Sequence, residues 1–174
     1  MDQHDGALRR RHHSDENVLI MPGAQVVGNV TFTGPECSVW HNAVIRGGPE
    51  GITIGRRTNI QDCAVLHTDD GAPCTVGEDV TIGHGAVVHA CTVGDRVLIG
   101  MGAVVLTGAV IGSDCLVGAG ALVTGRSVIP PGSMVLGSPA RAVRPLTGAE
   151  RASLVRSAEE YAALKEHYRE EERI

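Results

Sequence analysis

Aliphatic residues recur every six positions along most of the chain. Ile54, Ile60 and Leu66 open the clearest run, and Val76, Ile82 and Val88 follow. It continues through Val93, Ile99, Val105, Ile111, Val117, Val123, Ile129 and Val135, while Ile20, Val26, Phe32, Val39 and Ile45 keep a looser version upstream. Two residues before the anchors stand small or β-branched residues: Thr58, Ala64, Val80, Ala86, Val97, Ala103, Ala109, Cys115 and Ala121. An α-helix cannot use a period of six, because successive anchors would fall on opposite faces. Short strands joined by tight corners can. The anchor and the residue two before it then point inward, and the residue after the anchor points outward. Three such hexads make a triangular coil of about 18 residues, and stacked coils bury one continuous core. The pattern predicts an all-β parallel solenoid over residues 17–143.

Beyond Pro139 and Pro145 the pattern changes. Thr147 and Glu150 have the spacing of a capping box. Leu154, Ala158, Tyr161 and Tyr168 follow at helical intervals. An amphipathic helix over residues 147–172 is therefore expected along the outside of the prism, covering a sheet face. Residues 1–16, with the short basic run Arg9-Arg10-Arg11-His12-His13, read as a loosely ordered tail.

Composition narrows the picture. Hydrophobic residues make up 43% of the chain but aromatic ones only 2%, so the core must be narrow and filled by Val, Ile, Leu and Ala. The 23 glycines suit many tight corners. A formal net charge of −5 argues against a nucleic-acid partner. No run of about 18 apolar residues is present to span a membrane, and Met-Asp-Gln-His-Asp-Gly lacks the apolar core of a signal peptide. The five cysteines show no CxxC spacing and are expected as reduced thiols, in keeping with a cytoplasmic protein. Cys37, Cys74, Cys91 and Cys115 each fall two before an anchor, in the small inward slot. Cys63 breaks that rule, beside Asp62 at a corner.

Three of the eight histidines lie inside the repeat proper. His67 follows the anchor Leu66 and His89 follows Val88. These anchors are 22 residues apart, one coil plus a loop insertion around Asp69-Asp70-Gly71-Ala72-Pro73. Both imidazoles therefore belong to one outward column on adjacent coils, about 4.8 Å apart at the backbone. His84 follows Ile82 by two residues on the preceding face and should point around the edge, away from that pair. One chain thus offers two metal ligands in one direction and a third in another, which suits a site completed by a neighbouring subunit in a ring. Three imidazoles with one open position form a ligand set of catalytic zinc, although iron or cobalt also accepts neutral imidazole. His4, His12, His13, His41 and His167 lack such placement and are read as surface residues.

Several segments together resemble the gamma-class carbonic anhydrases. They are Ser38-Val39-Trp40-His41-Asn42-Ala43-Val44-Ile45-Arg46-Gly47, Thr58-Asn59-Ile60-Gln61-Asp62, and Ile82-Gly83-His84-Gly85-Ala86 on to His89. Ile99-Gly100-Met101-Gly102-Ala103 and Leu136-Gly137-Ser138-Pro139-Ala140 add to the likeness, which covers roughly residues 18–168. The resemblance implies a left-handed parallel β-helix of hexapeptide repeats, assembled as a homotrimer with a metal ion at each subunit interface. His67 and His89 would come from one subunit and His84 from the next. It further implies reversible hydration of carbon dioxide to bicarbonate by zinc-bound hydroxide. By the same likeness Gln61 would orient the hydroxide or product, Asp62 would order the site, Arg46 would make an ion pair between subunits, and Tyr161 would lie near the centre. The family usually reads Arg-Gly-Asp where this chain has Arg46-Gly47-Gly48, so the carboxylate that would pair with Arg46 is missing. The sequence shows no clear acidic loop for moving protons; Asp69 and Asp70 are the only carboxylates expected nearby.

Two other functions fit the same scaffold. One is a hexapeptide-repeat acyltransferase or thioesterase with a histidine as general base; the chain has a single lysine, Lys165, and no evident basic pocket for coenzyme A phosphates, although arginines could serve. The other is a non-catalytic trimeric module that uses metal to join subunits, which the missing Asp favours.

Overall fold

Every anchor from Ile54 to Val135 is buried, and the small residues two positions before them fill the gaps between. This alternation builds a three-sided parallel solenoid of about six coils with one C-terminal helix in the computed structural model, which describes residues 11–13 and 18–172. Cys37, Cys74, Cys91 and Cys115 all lie in the core, and Cys63 is exposed. The first coil differs from the pattern. Leu19, not Ile20, is the fully buried residue there and packs with Met21 and Trp40 outside the prism. Its strand ends the second sheet, so Ile20 has no coil beneath it and is only half-buried.

Within each coil the chain passes from a second face to a first and then a third. The second face stacks Leu19–Ile20, Ser38–Val39, Asn59–Ile60, Thr81–Ile82, Leu98–Ile99, Leu116–Val117 and Ser133–Gly137, and Ala140–Pro145 closes it antiparallel. The first face carries the start of Val44–Ile54, then Val65–His67, Val87–His89, Val104–Val105 and Leu122–Val123. The third carries the end of Val44–Ile54, then Cys74–Val76, Thr92–Val93, Val110–Ile111 and Val128–Ile129. Register keeps side chains in columns. Val44, Val65, Val87, Val104 and Leu122 are cross-strand partners in turn, and all point outward from the first face, half-buried.

Not every corner is made by glycine. Glu36, Arg57, Asp79, Arg96 and Asp114 occupy one corner of successive coils, all with φ between 51° and 66°. A left-handed conformation costs a side-chain-bearing residue roughly 1–2 kcal/mol. Ion pairs link neighbouring coils at this corner. Arg57 Nε donates to Asp79 Oδ1 at 2.6 Å, and Arg96 grips Asp114 through Nε and Nη2 at 2.7 and 3.0 Å. The guanidinium of Arg96 holds the Asp114 carboxyl below the usual carboxylate range.

The helix Gly148–Glu172 begins at a reciprocal cap. Glu150 N donates to Thr147 Oγ1 at 3.2 Å, and Thr147 N donates to Glu150 Oε2 at 2.8 Å. With Arg144 on the same carboxylate, the Glu150 pKa falls to about 2. Leu154 and Ala158 are buried beneath the helix, and Tyr161 and Tyr168 each meet the Trp40 ring edge-on at 5.3 Å. The helix covers Ser38–Val39, Asn59–Ile60 and Thr81–Ile82 of the second face. Beyond it, Leu98 and Leu116 border a groove of about 350 Å³ that reaches Gln61 and His84.

At the other end, Arg11–His13 pairs in parallel with Asn29–Thr31, so this part of the basic run is an edge strand rather than a frayed tail. The rest of the expected tail lies outside the described residues. Among the described residues no helix is long and apolar enough to cross a membrane.

Candidate metal centre

His67 and His89 are direct cross-strand partners, as their column position requires, and their ring centroids stand 5.4 Å apart. His84 is exposed at the corner between the second and first faces. That corner is itself a column, because Cys63 N donates to His41 O, Gly85 N to Asp62 O and Gly102 N to His84 O. His41, Asp62, His84 and Met101 therefore succeed one another along the prism edge. The chain alone does not gather the three histidines, and no group of three or more His, Cys, Asp or Glu placed to hold a metal occurs among the described residues.

Each histidine is nonetheless set up in the same way. His67 Nδ1 lies 2.5 Å from the carbonyl oxygen of Arg46, which can only accept, so Nδ1 carries the hydrogen and Nε2 the lone pair. His84 Nδ1 lies 2.8 Å from Asp62 Oδ2, with the same consequence. His89 Nδ1 is engaged by Thr107 Oγ1 at 3.0 Å, again leaving Nε2 over. An Nδ1 bond that orients the ring and frees Nε2 is how metal-binding histidines are prepared. The donor chemistry therefore fits a metal ion, provided that His84 meets the other pair from a second subunit.

The remaining site residues surround these three. Gln61 is buried. Its Oε1 accepts from His84 N at 3.1 Å and its Nε2 donates to Asn59 Oδ1 at 3.3 Å. Asn59 continues to Thr81 Oγ1 at 3.0 Å and Thr81 to Ser157 Oγ of the helix at 3.0 Å, tying the His84 corner to that helix. Asp62 is shared by His84 and by His41, whose Nδ1 lies 3.3 Å from Oδ1. Arg46 stands beside His67 in the outward column, and among the described residues no carboxylate pairs with its guanidinium. Tyr161 packs on Trp40, and burial together with the charge of Asp62 pushes its phenol pKa up.

Residues 90–125 match the family model described as bacterial transferase hexapeptide (six repeats). A Methanocaldococcus jannaschii protein named as a probable carbonic anhydrase is 52% identical over 151 residues, 87% of this chain and 94% of that protein. The mitochondrial gamma carbonic anhydrase 2 of Arabidopsis thaliana is 37% identical over 156 residues, 86% of this chain, which spans 56% of the plant protein. The chain belongs to the gamma-class carbonic anhydrase family. A solved structure shares the fold: a hexapeptide transferase family protein from Anaplasma phagocytophilum superimposes with a TM-score of 0.84 at 37% identity, covering 88% of this chain and 90% of that one.

Against the gamma-class pattern, the structure explains how Gly48 is accommodated. Gly48 N donates to Thr68 Oγ1 at 2.8 Å, and a Cβ at this position would meet that oxygen at 2.6 Å and Glu50 Oε2 at 3.4 Å. The Glu50 carboxylate leans over the glycine and accepts from Gly71 N at 3.0 Å, holding the inserted loop. Sequence reasoning missed Glu50, Thr107 and His41. His41 was readable, since it precedes Asp62 by 21 residues and shares its corner one coil below. Glu50 and Thr107 were not, because their partners lie in the inserted loop and on an adjacent coil.

Proposed function

We propose that this protein is a carbonic anhydrase of the gamma class, a homotrimer that hydrates carbon dioxide reversibly at zinc ions between subunits. The observation that carries the reading is the common preparation of His67, His84 and His89, each bound through Nδ1 with Nε2 left over. His67 and His89 of one subunit and His84 of the next would hold the ion. Such an ion acts as a Lewis acid that makes water nucleophilic at neutral pH.

The first face supports a ring. His84 stands at the end where its strands begin, His67 and His89 where they finish, and the apolar column Val44–Val65–Val87–Val104–Leu122 lies between. Contacts between two different ends of one surface close only in a cycle. In a ring closed by rotation alone the coils stay level. His84 then meets the coil of His89, and Asp62 that of His67. Burial of the five apolar side chains around the axis supplies the driving force, at about 25 cal/mol per Å².

Within this site Asp62 orients His84, and the Arg46 carbonyl orients His67. Gln61 fixes the backbone at His84 and retains one amide hydrogen for a bicarbonate oxygen in the adjoining groove. The Arg46 side chain adds positive charge beside His67 for the anionic product or for a carboxylate across the interface. Tyr161 shapes the same edge through its packing on Trp40. The acyltransferase alternative loses its one lysine, since Lys165 is buried beneath the helix. Carbon dioxide hydration measured with metal content on the same sample tests the proposal.

A further inference from the structure

We infer that Thr107 and Asp69 are positioning residues that fix the tautomer and orientation of His89, and that the inserted loop 68–73 serves to deliver Asp69 to this task. The inference rests on the metal-site reading above and adds the residues on which that ligand depends. Thr107 Oγ1 donates to Asp69 Oδ2 at 3.1 Å, so its single hydrogen is spent on the carboxylate. Toward His89 Nδ1, 3.0 Å away, it can then only accept. The direction of the chain is therefore set: Nδ1–H of His89 to Thr107, and the Thr107 hydroxyl hydrogen to Asp69.

Asp69 is itself fixed through both carboxylate oxygens and its backbone. Its other oxygen, Oδ1, accepts from Asp70 N at 3.1 Å. Its backbone N and O pair with Ala72 O and N at 3.1 and 3.0 Å. The loop tip is pinned independently, because Gly71 N donates to Glu50 Oε1 at 3.0 Å. A loop insertion that interrupts an otherwise regular repeat thus bridges 38 residues of sequence to reach the neighbour of His89. Left to itself, a neutral imidazole favours hydrogen on Nε2, the wrong nitrogen for an Nε2 ligand. The Thr107–Asp69 pair reverses that preference.

The test uses the full chain with histidine nitrogens labelled. In the metal-free protein, at a pH above the usual imidazole range, nitrogen-15 NMR reads the tautomer of His89 directly. The wild type and Thr107→Ser should show Nδ1–H. Thr107→Val and Asp69→Ala should shift His89 toward Nε2–H while His67 keeps its Nδ1–H form. Zinc retention against a chelator should fall roughly 10- to 100-fold in Thr107→Val and recover in Thr107→Ser, and the absorption spectrum of the cobalt(II)-loaded protein should change in parallel. Nε2–H in the wild type, or no tautomer change in Asp69→Ala, overturns the inference. Asp69→Ala lies in an exposed loop and keeps the test decisive if Thr107→Val fails to fold. A wild type with His89 as Nδ1–H that binds no zinc would leave the relay standing and defeat the metal reading, so the two failures are distinguishable.

Discussion

Asp62 Oδ2 stands 2.8 Å from His84 Nδ1 and the other oxygen of the same carboxylate reaches His41 Nδ1 at 3.3 Å. One half-buried carboxylate therefore orients the histidine that a single chain leaves apart from the other two. Asp62→Ala releases that ring without altering any proposed ligand. We expect zinc affinity to fall roughly 10- to 100-fold, as read by competition with a chelator. Unchanged affinity would show that Asp62 merely decorates the corner.

Assembly should depend on the apolar column of the first face. Val87 is half-buried in the chain alone and lies beside the row containing His89. A charge there would have to be buried without a partner at the interface, which is strongly unfavourable. Val87→Glu is expected to give monomers by light scattering and to lose bound metal, with the β-helix intact by circular dichroism. Normal assembly of this variant would place the interface on another face.

Restoring the usual family carboxylate should not help this chain. In Gly48→Asp the new Cβ collides with the hydroxyl of Thr68, which is buried and stiff at χ1, and the new charge sits beside Glu50. Overpacking of this kind costs about 1–3 kcal/mol. Thermal unfolding should show a lower midpoint than the wild type; an equal or higher midpoint would mean that the site retains room for the family residue.

Much of this arrangement was legible in the sequence. The six-residue period placed every anchor from Ile54 to Val135 inside, set His67 beside His89, and put His84 on another edge. The same period also held the column from Val44 to Leu122, one position before each anchor, which only a search of outward positions reveals. Position 20 failed because a pattern of period six does not say which coil is terminal. The corner at Arg57, Asp79, Arg96 and Asp114 hid its geometry because charged residues, rather than glycine, occupy the left-handed positions there. Contacts made by the inserted loop, including Asp69 to Thr107 and Glu50 to Gly71, follow no period at all.

That charged corner carries a pH dependence. Arg96 lowers the folded-state pKa of Asp114, so the unfolded chain binds this proton more readily. Its contribution to stability is complete above the unfolded value of about 3.9 and is lost as pH falls through the lower folded value. Asp114→Asn should therefore lower stability near neutral pH and narrow the difference from wild type in acid, measured by denaturant titration at several pH values. A constant difference across that range would refute the assignment.

The most direct measurement is the rate of carbon dioxide hydration by the zinc-loaded protein, with metal content and molecular mass determined on the same sample. The account predicts a trimer with one zinc per chain, catalysis well above buffer, and loss of both zinc and activity in His89→Ala. A trimer fully loaded with zinc but without activity would contradict it, leaving a metal centre that only joins subunits.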